Sequence, residues 1–290
     1  MQGKINKESN NHTSDLLLIK EAVQGSQASL EKIILRYQDW IYNIAFKMVM
    51  DHDDAADITQ EILTKAISSL SSYNPEKAAF STWIYRITVN HVLNMQKKKF
   101  EYRINDIETY VSLIEKLPDE RYFRHPEREL LTEEIKIGCM MGMMICLNRN
   151  ERIIFILGGI FGISDDDGSE IMEITKVNFR KNLSRARKKI YSNIKDLCGL
   201  VDSENPCRCS NKVASFLDFG MADPENLRFN HTSRPKVRDV IKEKYEAFKD
   251  QYYEPFFELY RQHPFYEPQD TVQRLRDIMQ NNDFRKLFNL

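Results

Sequence analysis

The sequence predicts an all-α protein: two helical domains joined by a linker, then a C-terminal helical extension. Three observations predict it. Apolar residues recur near a period of 3.6 through most of the chain. No stretch of any length alternates apolar and polar residues as a half-buried strand would. Proline-containing, charged or aperiodic stretches separate the helical blocks, at "LPDERYFRHPERE" and again across 198–211. The expected boundaries are a disordered polar tail over 1–14, a first domain over 15–100 and a linker over 101–129. A second domain over 130–197, a cysteine-containing connector over 198–215 and a helical extension over 216–290 follow.

A chain of 290 residues can hold two or three small domains with real cores. The net charge of −1 names no partner, but the charges are not evenly spread. Basic residues cluster at Lys97–Lys99 and from Lys176 to Lys195, acidic ones at Asp51–Asp57 and Asp165–Asp167. Local patches of one sign steer binding whatever the total. The N-terminus is polar through Ser14, so no signal peptide is read there. The most apolar runs, Cys139–Leu147 and Ile153–Ile163, fall short of the ~20 residues a membrane span needs, so no membrane insertion is expected. Five cysteines without a secretory signal read as reduced thiols of a cytoplasmic protein.

In the first domain, Leu16, Ile19, Val23, Leu30, Ile33, Ile34, Tyr37, Ile41, Ile44 and Ala45 keep the helical period, which predicts three or four helices by Gln96. In "DHDDAADITQEILTKAISSL" (Asp51–Leu70), Ile58, Ile62, Leu63, Ala66, Ile67 and Leu70 form an apolar stripe. Asp57, Gln60, Glu61 and Thr64 share the opposite face. Such a face is either a docking surface or the ordinary solvated side of an amphipathic helix, and spacing alone does not choose. "YNP" (Tyr73–Pro75) then breaks the pattern, and Phe80 opens another helix.

In "FSTWIYRITVNHVLNMQKKK" (Phe80–Lys99), Ile84, Ile87, His91 and Met95 are expected to face the core. Trp83, Arg86, Asn90, Asn94 and Lys97 fall on another side, with Lys98 following. An aromatic surface, amides and cations together suit single-stranded nucleic acid. Trp83 equally suits a core tryptophan.

In the second domain the Met140–Met144 cluster reads as adaptable core packing. "DGSEIMEITKVNFRKNLSRARKKIYSNIK" reads as a short helix, a turn at Glu173–Thr175 and a long helix in which every charged residue is basic. That is a helix-turn-helix pattern. Val177, Leu183, Ala186 and Ile190 are expected to dock the long helix. Arg180, Lys181, Asn182, Arg185 and Lys189 are expected to point outward toward phosphates and bases. A plain basic surface helix is the alternative.

Taken in order, "DAADITQEI", "AAFSTWIYRITVN", "NERIIFILGGIFGIS" and "NFRKNLSRARKKI" resemble the bacterial sigma factors of RNA polymerase, of the small extracytoplasmic-function type. The resemblance covers roughly residues 15–195. It implies a sigma region 2 bundle over 15–100 that meets core polymerase and the −10 element. It implies a sigma region 4 helix-turn-helix over 130–197 that meets the −35 element.

Asp57, Gln60 and Glu61, with Thr64 beside them, match the face that docks on the clamp coiled coil of the polymerase largest subunit. Tyr73, Asn74 and Lys77 lie in the segment that forms the −10 specificity pocket, and Asn90 matches a position that helps capture a flipped base. Trp83 and Arg86 match the strand-opening helix, with Asn94, Lys97 and Lys98 continuing toward DNA. Lys176, Asn178, Phe179, Arg180, Lys181, Asn182, Arg185, Arg187, Lys188 and Lys189 are the −35 candidates. The polymerase flap and an anti-sigma factor are further partners the resemblance implies. The family's usual glycine in the helix-turn-helix turn is Glu173 here, which must adopt a left-handed conformation at some cost or form a different turn.

The resemblance leaves the last ninety or so residues unexplained. Cys198, Cys207 and Cys209 (C-x8-C-x-C) suit either ordinary reduced thiols, a redox pair, or a zinc ion with a fourth ligand from elsewhere. Otherwise no cofactor is expected. Val237, Val240, Ile241, Tyr245, Phe248, Tyr252, Phe256 and Tyr260 predict a long amphipathic helix. Thr271–Met279 predicts a second helix, and a short apolar end, Phe284–Leu290, follows. These elements read as a packed helical hairpin or a regulatory tail. No nucleophile–base pair and no phosphate-cradling glycine loop is present, so no enzyme is expected. The competing function is a free-standing helix-turn-helix regulator, which would leave the Asp57 and Trp83 faces without a role.

Overall fold

The computed structural model describes residues 8–98, 101–102, 106–120, 127–218, 222–225, 227, 229 and 254–266. Among them the chain is helical, with one isolated β-bridge. The helices are α1 (Glu8–Val23), α2 (Gln27–Val49), α3 (His52–Ser68), α4 (Phe80–Asn94), α5 (Ile107–Lys116) and α6 (Arg128–Ile145). After them come α7 (Arg149–Ile154), α8 (Asp165–Ile171), α9 (Lys176–Ile194), α10 (Val213–Asp218) and α11 (Glu254–Arg261). No described helix is long and apolar enough to cross a membrane.

The chain forms two compact units, one drawn from 1–96, 163–179 and 265–290, the other from 97–162 and 180–264. In the first, α2 and α3 form the main helix pair and α4 packs on both. Ser26 caps α2, its hydroxyl accepting from the Ser29 N–H at 3.3 Å. Met50 ends α2 in the left-handed region (φ 60°). Asp51 then caps α3 by accepting from the N–H groups of Asp53 and Asp54 at 3.0 Å each. Ile41, Ile44, Ala45, Met48, Ile58 and Ile62 are buried between these helices. Each large side chain so buried contributes roughly 1.5–3 kcal/mol.

Two expectations need correction here. Residues 8–14, read as disordered, begin α1, which is pinned lower down where Asp15 accepts from the Tyr37 hydroxyl at 2.5 Å and pairs with Arg36. The core face of α4 is Phe80, Ile84, Thr88, Val89 and Val92, while Ile87, His91 and Met95 are only half-buried. The face is turned because Phe80, with Tyr37 edge-on to it at 5.3 Å, anchors the helix.

In the second unit, the segment read as a linker holds α5. Asp106 caps it by accepting from the Thr109 N–H at 2.7 Å, and Ile107, Tyr110 and Ile114 are buried. Tyr110 lies over Gly142 of α6, where any Cβ would collide with its ring. Asn148 and Glu151 form a capping box for α7, and the helix widens to a π-helical turn over Phe155–Ile160. Glu101 is buried and bonds both Arg149 (2.7 Å) and Arg152 (2.9 Å). In α11, Phe257 and Tyr260 meet Phe155 edge-on at 5.6 and 5.1 Å. The Arg261 Nε donates to the Gly159 carbonyl at 3.0 Å. Most of the predicted amphipathic helix from Val237, the second helix Thr271–Met279 and the end Phe284–Leu290 lie outside the described residues.

Candidate nucleic-acid interface

On α3 the apolar stripe is buried, which leaves Asp57 and Glu61 exposed and Gln60 and Thr64 half-exposed along one side. The four predicted residues therefore share an accessible face. The Glu61 carboxylate reaches His91 Nε2 of α4 at 3.1 Å, and Lys65 Nζ lies 3.3 Å from the other ring nitrogen. Burial lowers the pKa of His91 and Lys65 adds to that, while Glu61 opposes it.

The start of α4 gathers an aromatic corner. Trp83 stacks on Phe80 at 5.3 Å, and Tyr73 meets Phe80 at 5.2 Å and Trp83 at 5.5 Å. The Tyr73 hydroxyl donates to the Ala78 carbonyl at 3.0 Å, which fixes the intervening loop. Asn74 turns that loop by accepting from the Glu76 N–H at 2.8 Å, and Asn74 and Lys77 are exposed on it. Trp83 is half-buried, so it is a supported ring with one accessible side rather than a core residue.

Arg86, Asn90 and Asn94 continue the Trp83 face along the helix, and both asparagines are exposed. Asn94 donates to the Asn90 carbonyl at 2.8 Å. Lys97 and Lys98, expected to continue that side of the helix, lie beyond its C-cap, Met95.

Arg86 has partners that sequence reasoning missed. Its Nε donates to the Glu170 carbonyl at 2.9 Å, and its guanidinium lies 3.5 Å from the Glu170 carboxylate and 3.9 Å from that of Glu173. No local signal marks this contact, because its members are far apart in sequence.

The helix-turn-helix forms as expected, and its turn is resolved. Glu173 adopts φ 53°, the Ile174 N–H donates to the Ser169 carbonyl and the Glu173 N–H to that of Glu170. This is a Schellman ending with a glutamate in the glycine position. Thr175 starts α9 by accepting from the Asn178 N–H at 3.2 Å.

The docking stripe of α9 differs from the expected one. It is Phe179, Leu183, Ala186, Ile190 and Ile194, and Val177 is exposed. Phe179, a −35 candidate, is fully buried under Gly168 of α8, where a Cβ would strike its ring. It therefore serves the core and not DNA. Arg187 is half-buried with its guanidinium 5.7 Å over the Phe257 ring, so it also faces protein. Lys189 lies 3.4 Å from Glu151, and Lys176 pairs with Asp166. Asn178, Lys181, Arg185 and Lys188 form an exposed stripe opposite Phe179. Arg180 is also exposed, and Asn182 is half-buried. Cys198, Cys207 and Cys209 are half-buried free thiols.

Comparison with known proteins places these surfaces in a family context. The model of the sigma-70 region 2 family matches residues 33–100, which include α3, α4 and the aromatic corner. The extracytoplasmic-function (ECF) RNA polymerase sigma-E factor of Haemophilus influenzae is 27% identical over 187 residues, 63% of this chain and 97% of that protein. The ECF RNA polymerase sigma factor SigW of Bacillus subtilis is 25% identical over 62% of this chain and 96% of its own length. A solved structure of CnrH in complex with the cytosolic domain of CnrY aligns with 66% of this chain at 18% identity and a TM-score of 0.44.

Proposed function

The chain belongs to the extracytoplasmic-function sigma factors of bacterial RNA polymerase, and from that premise we propose how its surfaces divide the work of promoter-specific initiation. Asp57, Gln60, Glu61 and Thr64 dock on the clamp coiled coil of the largest subunit. The corner of Tyr73, Phe80 and Trp83, with the Asn74–Lys77 loop and Asn90, receives the unpaired −10 strand. Unstacking a base costs a few kcal/mol, and stacking on an aromatic returns about 1–3 kcal/mol per base. Lys181, Arg185 and Lys188, with Asn178 and Arg180, face the −35 duplex. The chain supplies positions and surfaces; the chemical step belongs to the polymerase, which places both in the cytoplasm.

The observation that carries this reading is the α3 face. Its carboxylates and amide stay accessible while the other side of the same helix is core. The test is binding of the full-length protein to core RNA polymerase, beside Asp57→Ala/Glu61→Ala. A loss of about tenfold or more, about 1.4 kcal/mol per factor of ten, is expected with an unchanged circular dichroism spectrum. Equal affinity would remove α3 from the interface. Binding to a −35 duplex with no affinity for polymerase would instead make the protein a free-standing helix-turn-helix regulator.

A further inference from the structure

Three of the five cysteines lie close together in the sequence, and the fold brings a fourth to them. The Cys207 N–H donates to the Leu197 carbonyl at 3.0 Å, and the Gly199 N–H donates to the Cys207 carbonyl at 3.1 Å. These two bonds close a parallel bridge between Cys198 and Cys207. Residues paired in such a bridge project to the same face. Arg208 is extended (φ −122°, ψ 118°), so the period of two returns Cys209 to the face of Cys207. Cys209 opens a 3₁₀ turn, Cys209–Asn211, that packs against α6, the helix carrying Cys139. The thiol of Cys139 interacts electrostatically with those of Cys209, Cys198 and Cys207.

The surroundings are built around this spot. Gly199 passes so close to the Cys207 carbonyl that a Cβ would sit 2.6 Å from its oxygen. Asn205 holds the turn by donating to the carbonyls of Lys195 (2.7 Å) and Cys198 (3.0 Å). Burial raises the pKa of the Cys198 thiol, and the backbone N–H groups of Leu200 and Val201 beside it oppose that rise. Arg128 donates to the Ser210 carbonyl at 2.9 Å, and the Glu120 N–H donates to the Asn211 carbonyl at 2.8 Å. Three cysteines on one face, with a fourth on the helix packed against them, are a ligand set of the kind that structural zinc takes.

We propose that Cys139, Cys198, Cys207 and Cys209 form a four-thiolate zinc site that fastens the connector to α6. The four sulphurs are not at ligand spacing as they stand. Zn–S distances of about 2.3 Å therefore require these side chains to move on binding. On binding, four thiols become four thiolates and their protons go to solvent, which leaves a net double negative charge on the cluster. Lys136, Arg208 and Lys212 stand beside these thiols to offset it. Lys136 is shared with Glu133, and Lys212 with Asp119 at 3.2 Å.

A redox pair is the weaker reading of the same cluster. Burial pushes the Cys209 thiol up to about 12 and Cys207 to about 11, and neighbouring thiols add to both. A disulfide would use only two of these thiols and leave the packing of the Cys209–Asn211 turn against α6, the helix of Cys139, without a role.

The test uses the full-length chain, purified under reducing conditions, with zinc measured by elemental analysis and cobalt(II) added to the metal-free protein. About one zinc per chain is expected, and cobalt should give the intense sulphur-to-metal charge-transfer and visible bands of a tetrahedral thiolate site. Cys139→Ser and Cys207→Ser should lose the zinc. Cys146→Ser should keep it, because that thiol instead bonds the Gly142 carbonyl at 3.2 Å. Full zinc occupancy in Cys139→Ser would overturn the assignment. A folded wild-type chain that takes neither zinc nor cobalt would also overturn it, as would recovery of a Cys198–Cys207 disulfide in its place. The cobalt spectrum of the unmutated chain decides even where a serine variant does not fold.

Discussion

Two clusters in this molecule join arginine to glutamate, and they behave as opposites. In the second unit, Glu101 is 2% exposed and bonds Arg149 and Arg152, themselves 14% and 4% exposed. In the first, Arg86 is 28% exposed and faces Glu170 at 44% and Glu173 at 63%. Exposed pairs contribute about 0–1 kcal/mol, whereas breaking a buried one costs about 3–5 kcal/mol. The same chemistry is therefore a fixed joint in one place and a weak hold in the other. On the proposed reading Arg86 can exchange its carboxylates for DNA phosphates at little cost, while Glu101 has no such freedom.

The largest effect expected is from Glu101→Gln, which leaves two arginines without their carboxylate. It should cost about 3–5 kcal/mol, read by denaturant titration. A loss under about 1 kcal/mol would make the two clusters alike. The same carboxylate sets an acid limit. The bond to Arg149 and the charges of both arginines hold its pKa below the ordinary 4.5, despite the opposing effect of burial. Its stabilisation is thus complete above the unfolded value and is lost as pH falls through the lower folded one. Stability of the wild type, but not of Glu101→Gln, should carry this slope below about pH 4.5.

Next is Lys181→Ala/Arg185→Ala on the exposed stripe of α9. Affinity for a −35 duplex should fall, and the slope of log affinity against log salt should shrink by roughly one per removed cation. An unchanged slope would move the DNA contact off this stripe.

Arg86→Ala should change stability by less than about 1 kcal/mol while slowing promoter opening, read by permanganate reactivity of the −10 thymines. A large stability loss would show that the exposed cluster is structural after all. The one change expected to add stability is Glu173→Gly, which relieves a left-handed glutamate and should raise stability by about 1 kcal/mol.

The sequence was most informative where packing is local. The α3 stripe follows one helix period and one turn chemistry, so its core and open faces both came out in place. The start of α5 was also written in the sequence: Asp106 as a cap, then Ile107, Tyr110 and Ile114 at helical spacing. The surrounding charges and prolines hid it.

The phase of α9 was not recoverable in the same way. Val177 and Phe179 are both apolar, and what selects Phe179 is the bare backbone of Gly168 on another helix. The phase of α4 was missed for a related reason, since Phe80 is anchored by Tyr37 of α2. Likewise Cys139 sits in a methionine-rich apolar run, and only the fold brings it to the C-x8-C-x-C segment.

One clip in the first unit has a consequence in time. The buried Asn43 amide donates to the Tyr266 carbonyl at 2.7 Å and accepts from the Tyr266 N–H at 2.8 Å, across 223 residues of chain. Phe265 lies against Trp40 at 5.6 Å, and Tyr266 against Phe46 at 4.9 Å. At about 5–20 residues per second, a ribosome needs roughly ten to forty-five seconds to supply the partner of Asn43 after making it. For that interval the Asn43 side chain keeps its bond to the Asp39 carbonyl but lacks both bonds to Tyr266, and the Trp40 and Phe46 rings lack the cover of Phe265 and Tyr266, a target for chaperones that the finished molecule no longer shows.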